Sequence, residues 1–171
     1  MFAFTHLVFA WLAGKGYEKI AKKELSHTAW LLLLLGSVIP DIDFLLDWTL
    51  GTEVHRTFTH SLLFVVVGAF SVYLFFTLRK NLERKTLALV FSIGICTHLF
   101  LDLFMSQGVP LLWPSLLHFS SQGIHYYNPA APSFLHQSID VMRNTLKVAV
   151  VDMAIGTAWI FWLVWRKKIK F

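Results

Sequence analysis

Residues 61–78, SLLFVVVGAFSVYLFFTL, run for 18 positions without a charge, enough apolar chain for one helix to cross a bilayer. The next residues, 79–85, read RKNLERK, and a Lys/Arg cluster at the end of an apolar segment marks the cytoplasmic side. Residues 86–101, TLALVFSIGICTHLFL, then run back outward to Asp102, and residues 148–165 form another apolar segment closed by RKKIK. Two shorter segments come first, 1–14 and 29–39. Ala29 to Ile39 would rise only about 16 Å as a helix, and Pro40 stops it by pushing its predecessor out of the α region. The pattern predicts an all-α chain: a multipass transmembrane helical bundle with four to five membrane segments, in a single domain over residues 1–171.

Composition agrees with this. The chain is 56% hydrophobic, 16% aromatic and only 15% charged, with a mean hydropathy of +0.61, too apolar for a soluble domain of this size. A pI near 9.5 ordinarily raises nucleic acid as a partner. Here the basic residues form three short clusters beside apolar segments, so orientation in the membrane accounts for them and no nucleic-acid partner is expected. The single cysteine, Cys96, lies mid-segment, which excludes a disulfide framework and a Cys-type metal site. Residues 1–14 have no basic stretch ahead of them, so no cleavable signal peptide is expected. Residues 103–139 contain no Asp, Glu, Lys or Arg but hold Pro110, Pro114, Pro129 and Pro132, which rules out a regular span. Residues 103–146 are therefore expected as an outer interfacial segment, with Trp113, Tyr126 and Tyr127 at the aromatic belt.

The ionisable residues are sorted between the two sets of segment ends. Lys15, Lys19, Lys22, Lys23, Arg79, Lys80, Arg84, Lys85, Arg166, Lys167, Lys168 and Lys170, 12 of the 15 basic residues, fall on one side. The other side receives Asp41, Asp43, Asp47, Glu53, Asp102, Asp140, Asp152 and every histidine except His27. The expected topology has the N-terminus outside and the C-terminus in the cytoplasm. At 1.5 Å per residue, His98 lies about 20 Å and His60 about 28 Å above the cytoplasmic boundary. The acids and imidazoles thus gather in the outer half of the cytoplasmic membrane, a depth that fits a lipid-like substrate.

Three motifs carry the chemistry. His98-x-x-x-Asp102 places an imidazole and a carboxylate on one helix face, about 5–6 Å apart, where they can chelate one ion or simply hydrogen-bond. Pro40-Asp41-Ile42-Asp43 sets two carboxylates between LLLLLGSVI and FLL. They can cap a short helix, but a charge at the bilayer centre costs about 2.5–3.5 kcal/mol, which favours a functional role. His55-Arg56-Thr57-Phe58-Thr59-His60-Ser61 stands at the outer entry to residues 61–78, with Thr57 or Thr59 as the helix cap. Arg56 is either a clamp for an anionic oxygen or an anchor to lipid phosphates. His6 is a weak candidate alone. His136-x-x-x-Asp140 repeats the i, i+4 spacing with His125 upstream, so His125, His136 and Asp140 are candidates for a further ion. His118 and His27 read as incidental, and Asp47 and Glu53 as surface acids. This many carboxylates and imidazoles exceeds one tetrahedral zinc site and suits two or three clustered ions. Paired ions clamp the attacking and leaving oxygens of a phosphoryl displacement.

Thr5-His6, Gly36-Ser37-Val38-Ile39-Pro40-Asp41-Ile42-Asp43, His55 to Ser61, and His98-Leu99-Phe100-Leu101-Asp102 followed by Gly108-Val109-Pro110-Leu111-Leu112-Trp113-Pro114 together resemble the prokaryotic inner-membrane metal-dependent hydrolase family, long a domain of unknown function. The resemblance covers residues 1 to about 115 and implies a multipass α-helical hydrolase of the cytoplasmic membrane. In ligand order the chain is more distantly similar to the zinc-dependent phospholipase C and P1-type nuclease group, with Asp140 where that group has Glu. The expectation is a membrane-bound, metal-dependent phosphoesterase acting on a lipid or lipid-linked phosphate. His6, Asp41, Asp43, His60, His98 and Asp102 would bind two or three divalent ions, zinc or else manganese. Arg56 would stabilise negative charge and His55 would assist catalysis or proton transfer. Two other readings stay open: a transporter or channel passing protons or divalent cations along the intramembrane Asp/His, and a catalytically inert partner with a structural metal.

Overall fold

The computed structural model describes residues 3–43, 49–50, 56–105, 108–126, 147, 150–159 and 162–163. Helix α1 spans Ala3–Ala21 and continues past Lys15, where the sequence suggested an end. Helix α2 spans His27–Gly36, with Ser26 as its cap accepting from the Ala29 amide, so His27 opens the helix as expected. Pro40 then enters a 3₁₀ turn, Ile39–Ile42, and a second such turn covers Phe58–His60. Helix α3 spans Leu62–Leu78 and is capped by Ser61, whose hydroxyl accepts from Phe64. Thr57 and Thr59 are not the cap, because the turn at Phe58–His60 separates them from the helix. Helix α4 spans Arg84–Asp102, and α5 covers Val150–Trp159.

Among the described residues, the chain departs from an all-α fold at one place. Strands β1 (Leu117–Ser120) and β2 (Gly123–Tyr126) form an antiparallel hairpin, inside the stretch expected to be an irregular interfacial segment. Ser121 and Gln122 connect the strands, and Gly123 has a φ of +127°, a conformation glycine adopts without strain.

Helix α4 is the axis of the molecule. Leu87 and Val90 pack with Ala10, Ala29 and Leu33 near its N-terminal end, and Phe91, Ile95 and Leu99 pack against Ile39, Phe64, Val65 and Leu111 further along. Helices α2 and α4 touch backbone to backbone. A Cβ on Gly94 would lie 2.2 Å from the Leu33 carbonyl oxygen, and one on Gly36 would lie 2.5 Å from that of Phe91. Small residues at such crossings are how membrane helices approach closely. Helix α3 buries none of its residues, and Val66, Phe70 and Leu78 are 65%, 63% and 75% exposed. Among the described residues, α4 alone is long and apolar enough to cross a membrane, while α2, α3 and α5 are shorter apolar helices.

Candidate metal centre

His98 and Asp102 occupy the last turn and a half of α4 and are almost fully buried. The α2–α4 crossing brings the Ser37 carbonyl to 2.8 Å from His98 Nδ1. A carbonyl oxygen only accepts, so Nδ1 carries the proton and Nε2 presents its lone pair. Opposite stands His60, 0% exposed, from the 3₁₀ turn before α3. Its Nδ1 faces Asp43 Oδ2 at 3.4 Å and Thr59 Oγ1 at 3.0 Å, and its Nε2 points at His98 Nε2, 3.3 Å away. Asp41 joins from the other 3₁₀ turn, with Oδ1 3.4 Å from each of these two nitrogens. Asp102 Oδ2 lies 3.6 Å from His60 Nε2 and 3.7 Å from His98 Nε2.

These separations test the site. Four ligands bound at about 2.1 Å in a tetrahedron stand about 3.4 Å from one another. The separations from His60 and His98 to each other, to Asp41 and to Asp102 are 3.3–3.7 Å, near that spacing, and one donor atom from each of the four residues lies within 4.8 Å of the others. The set is three buried residues and one, Asp41, whose side chain is 32% exposed. Two imidazoles and two carboxylates suit a divalent transition ion.

Around the four lies a supporting ring. Asp43, expected as a ligand, stands behind His60, where it accepts from the Thr59 hydroxyl and from the Arg56 amide at 3.2 Å. A carboxylate behind a ligating imidazole fixes the ring's orientation and basicity. His6 on α1 is 0% exposed, stacks on His98 with centroids 4.0 Å apart, and sets Nε2 3.6 Å from Asp102 Oδ1. Neither of its ring nitrogens has a hydrogen-bond partner among the described residues. Arg56 brings Nη2 to 3.5 Å from Asp102 Oδ2, with its side chain 11% exposed. Its Nε and Nη1 have no such partner, and its φ of +59° is a strained conformation for a residue with a side chain.

His125 is not among the four. It stacks on His118, with centroids 6.0 Å apart, and His118 is buried to 7% exposure where the sequence read it as incidental. His55, His136 and Asp140 lie outside the described residues, as do Asp47 and Glu53. Sequence reasoning missed Asp152 on α5. It is 4% exposed and accepts from the Phe4 amide at 3.1 Å, the Thr5 amide at 2.8 Å and the Thr5 hydroxyl. It thereby caps α1 one residue before His6. Only its place in an apolar segment signalled it.

"Uncharacterized protein YvsG" of Bacillus subtilis (strain 168) is 38% identical over 63 residues, which is 37% of this chain and 36% of the relative. The match spans about a third of that protein's length. No solved structure matches the chain. The model of the YdjM inner membrane protein family matches residues 1–169, and the chain belongs to that family.

Proposed function

We propose that this chain is a multipass membrane protein of the cytoplasmic membrane, and a metal-dependent hydrolase that cleaves a phosphoester of a lipid or lipid-linked substrate. The observation that carries the reading is the convergence of Asp41, His60, His98 and Asp102 donors, all within 4.8 Å of one another, beside the Arg56 guanidinium. Those four would hold a divalent ion, zinc by donor type, with His6 next to Asp102 as a further donor. When bound, such an ion polarises a phosphoryl oxygen and lowers the pKa of water. The protein's own groups do the rest. Arg56 holds an anionic oxygen through Nε and Nη1, Asp43 orients His60, and the Ser37 carbonyl keeps the His98 proton away from the cluster. Asp41, the exposed member, is the one a substrate reaches.

A structural metal is the second reading, because four protein ligands close a tetrahedron while a catalytic site keeps a position open. Transport has less support. The Ser71, Thr77 and Ser92 hydroxyls, in the inner halves of the helices, bond back to Val67, Tyr73 and Ala88 of their own turns at 2.7–2.9 Å. Among the described residues they mark no polar path onward from the cluster.

Metal analysis on chain purified without chelator, followed by a lipid-phosphate hydrolysis screen, tests the proposal. Near-stoichiometric metal and turnover that EDTA abolishes are expected. Wild-type chain repeatedly free of metal would sink it. Metal without turnover on any phospholipid or polyprenyl phosphate would leave the structural ion.

A further inference from the structure

The hairpin is tied to the mouth of the candidate metal centre. The Ser121 amide donates to the Leu103 carbonyl at 2.6 Å, one residue beyond Asp102, and Val109 and Phe119 exchange two backbone bonds of 2.9 Å. Leu62, at the start of α3 two residues after His60, donates to the Leu111 carbonyl at 3.0 Å. Gly108 allows the close approach: its φ is +67°, and a Cβ there would lie 2.7 Å from the Phe119 oxygen and 3.2 Å from His125 Cε1.

The register then places two imidazoles on one face. His118 pairs directly with His125 across the strands, and directly opposed residues share a side of a hairpin. The face turns inward at β1, where His118 is the buried member of its strand. Burial, with smaller contributions from the positive charges of His125 and Arg56, holds His118 below the usual imidazole range. Arg56 is the residue whose guanidinium bridges toward Asp102 while Nε and Nη1 stay without hydrogen-bond partners among the described residues. The guanidinium offers Nε and Nη1, and each neutral imidazole adds one N–H, with His118 Nδ1 3.4 Å from the Leu116 carbonyl; among the described residues Asp102 is the acid paired with the guanidinium. Such a donor set matches the spread oxygens of a phosphoryl group.

We propose that His118 and His125 form, together with Arg56, a subsite for phosphoryl oxygens beside the metal centre, on residues separate from its ligands. The inference rests on the phosphoesterase reading for its role in turnover, but not for the binding itself. It assigns the hairpin the task of holding the substrate's phosphate while the metal centre addresses the bond to be broken.

The test uses the full chain in detergent micelles with the metal it is purified with, and inorganic phosphate as the probe. Calorimetric titration gives the affinity, and metal content is read on the same samples. Arg56→Ala and His125→Ala are each expected to weaken phosphate binding about tenfold, the size of one lost hydrogen bond to a charged group, with metal content unchanged. His118→Gln should weaken it similarly. Because His125 is exposed, its variant keeps the test decisive even if the substitution at His118 unfolds the hairpin. Phosphate affinity that is unchanged in His125→Ala, or absent in wild type, overturns the subsite. Metal lost from either histidine variant also overturns it, by making the pair ligands. Short-chain phosphatidic acid in the same titration separates a lipid headgroup from free phosphate, and histidine-dependent binding of either supports the subsite. Wild-type chain that carries no metal yet binds phosphate through His125 would refute the hydrolase reading alone.

Discussion

Along α4, Leu87 and Val90 are as deeply buried as His98 and Asp102, with exposures of 0%, 0%, 0% and 1%, yet the two ends are held by different forces. The N-terminal end is a dry contact of Leu33, Ala29 and Ala10 against Leu87 and Val90, where close packing supplies the energy. The C-terminal end buries imidazoles and carboxylates, which is costly unless they are paired or hold an ion. The lesson is that equal burial on one helix carries opposite sensitivities: the N-terminal end responds to volume, the C-terminal end to charge and donor count.

The strongest way to break the comparison is to remove one candidate ligand. Asp102→Ala or His60→Ala should abolish metal retention, measured by elemental analysis, while circular dichroism stays helical. Retention of full metal in both would show that the C-terminal end does not depend on its donors. Next comes Gly94→Leu. Its side chain would meet the Leu33 carbonyl, so α2 must move, and both dry packing and the Ser37–His98 bond should fail together, with thermal stability and metal content falling in the same sample. A Gly94→Leu chain with normal metal content would separate the two ends.

Leu87→Ala sharpens the contrast from the other side. It should cost about 2–4 kcal/mol in denaturant unfolding, as buried Leu→Ala changes do, with metal content untouched. The smallest effect concerns Glu18. It accepts from the Leu25 amide at 2.9 Å, Trp30 Nε1 at 3.3 Å and Lys15 at 2.7 Å, tying α1 to α2. Burial opposes its ionisation, but Lys15 and the Leu25 amide outweigh this and lower its pKa from 4.5. Its stabilisation is therefore present above pH 4.5 and is lost as pH falls through the lower folded value. Glu18→Gln should remove about 1 kcal/mol at neutral pH, and the difference from wild type should shrink in acid. A pH-independent difference would mean the charge is immaterial there.

What the sequence made legible follows from local geometry. His98 and Asp102 were readable because i, i+4 spacing on a helix decides the face, and Asp41 because Pro40 bars a continuous helix past it, although α2 itself already stops at Gly36. The distinction between Asp41 and Asp43 was not. They sit two residues apart at the end of a 3₁₀ turn with three residues per turn, so their side chains diverge: one enters the cluster and the other goes behind His60. The hairpin was hidden because prolines and missing charges in 103–139 describe what the stretch cannot be. Asp152 was hidden because its partners are 147 and 148 residues away. The boundary of α3 shifted because Ser61, inside the apolar run, became its cap.

The bond from His98 to the Ser37 carbonyl has one more consequence. Which imidazole nitrogen meets the cluster is chosen by the register of one helix sliding on another, since a shift of one residue, about 1.5 Å, withdraws the acceptor. The glycine pair Gly36 and Gly94 therefore works as a tautomer selector: a mechanical alignment between two apolar segments decides which ring nitrogen is turned to the cluster with its lone pair.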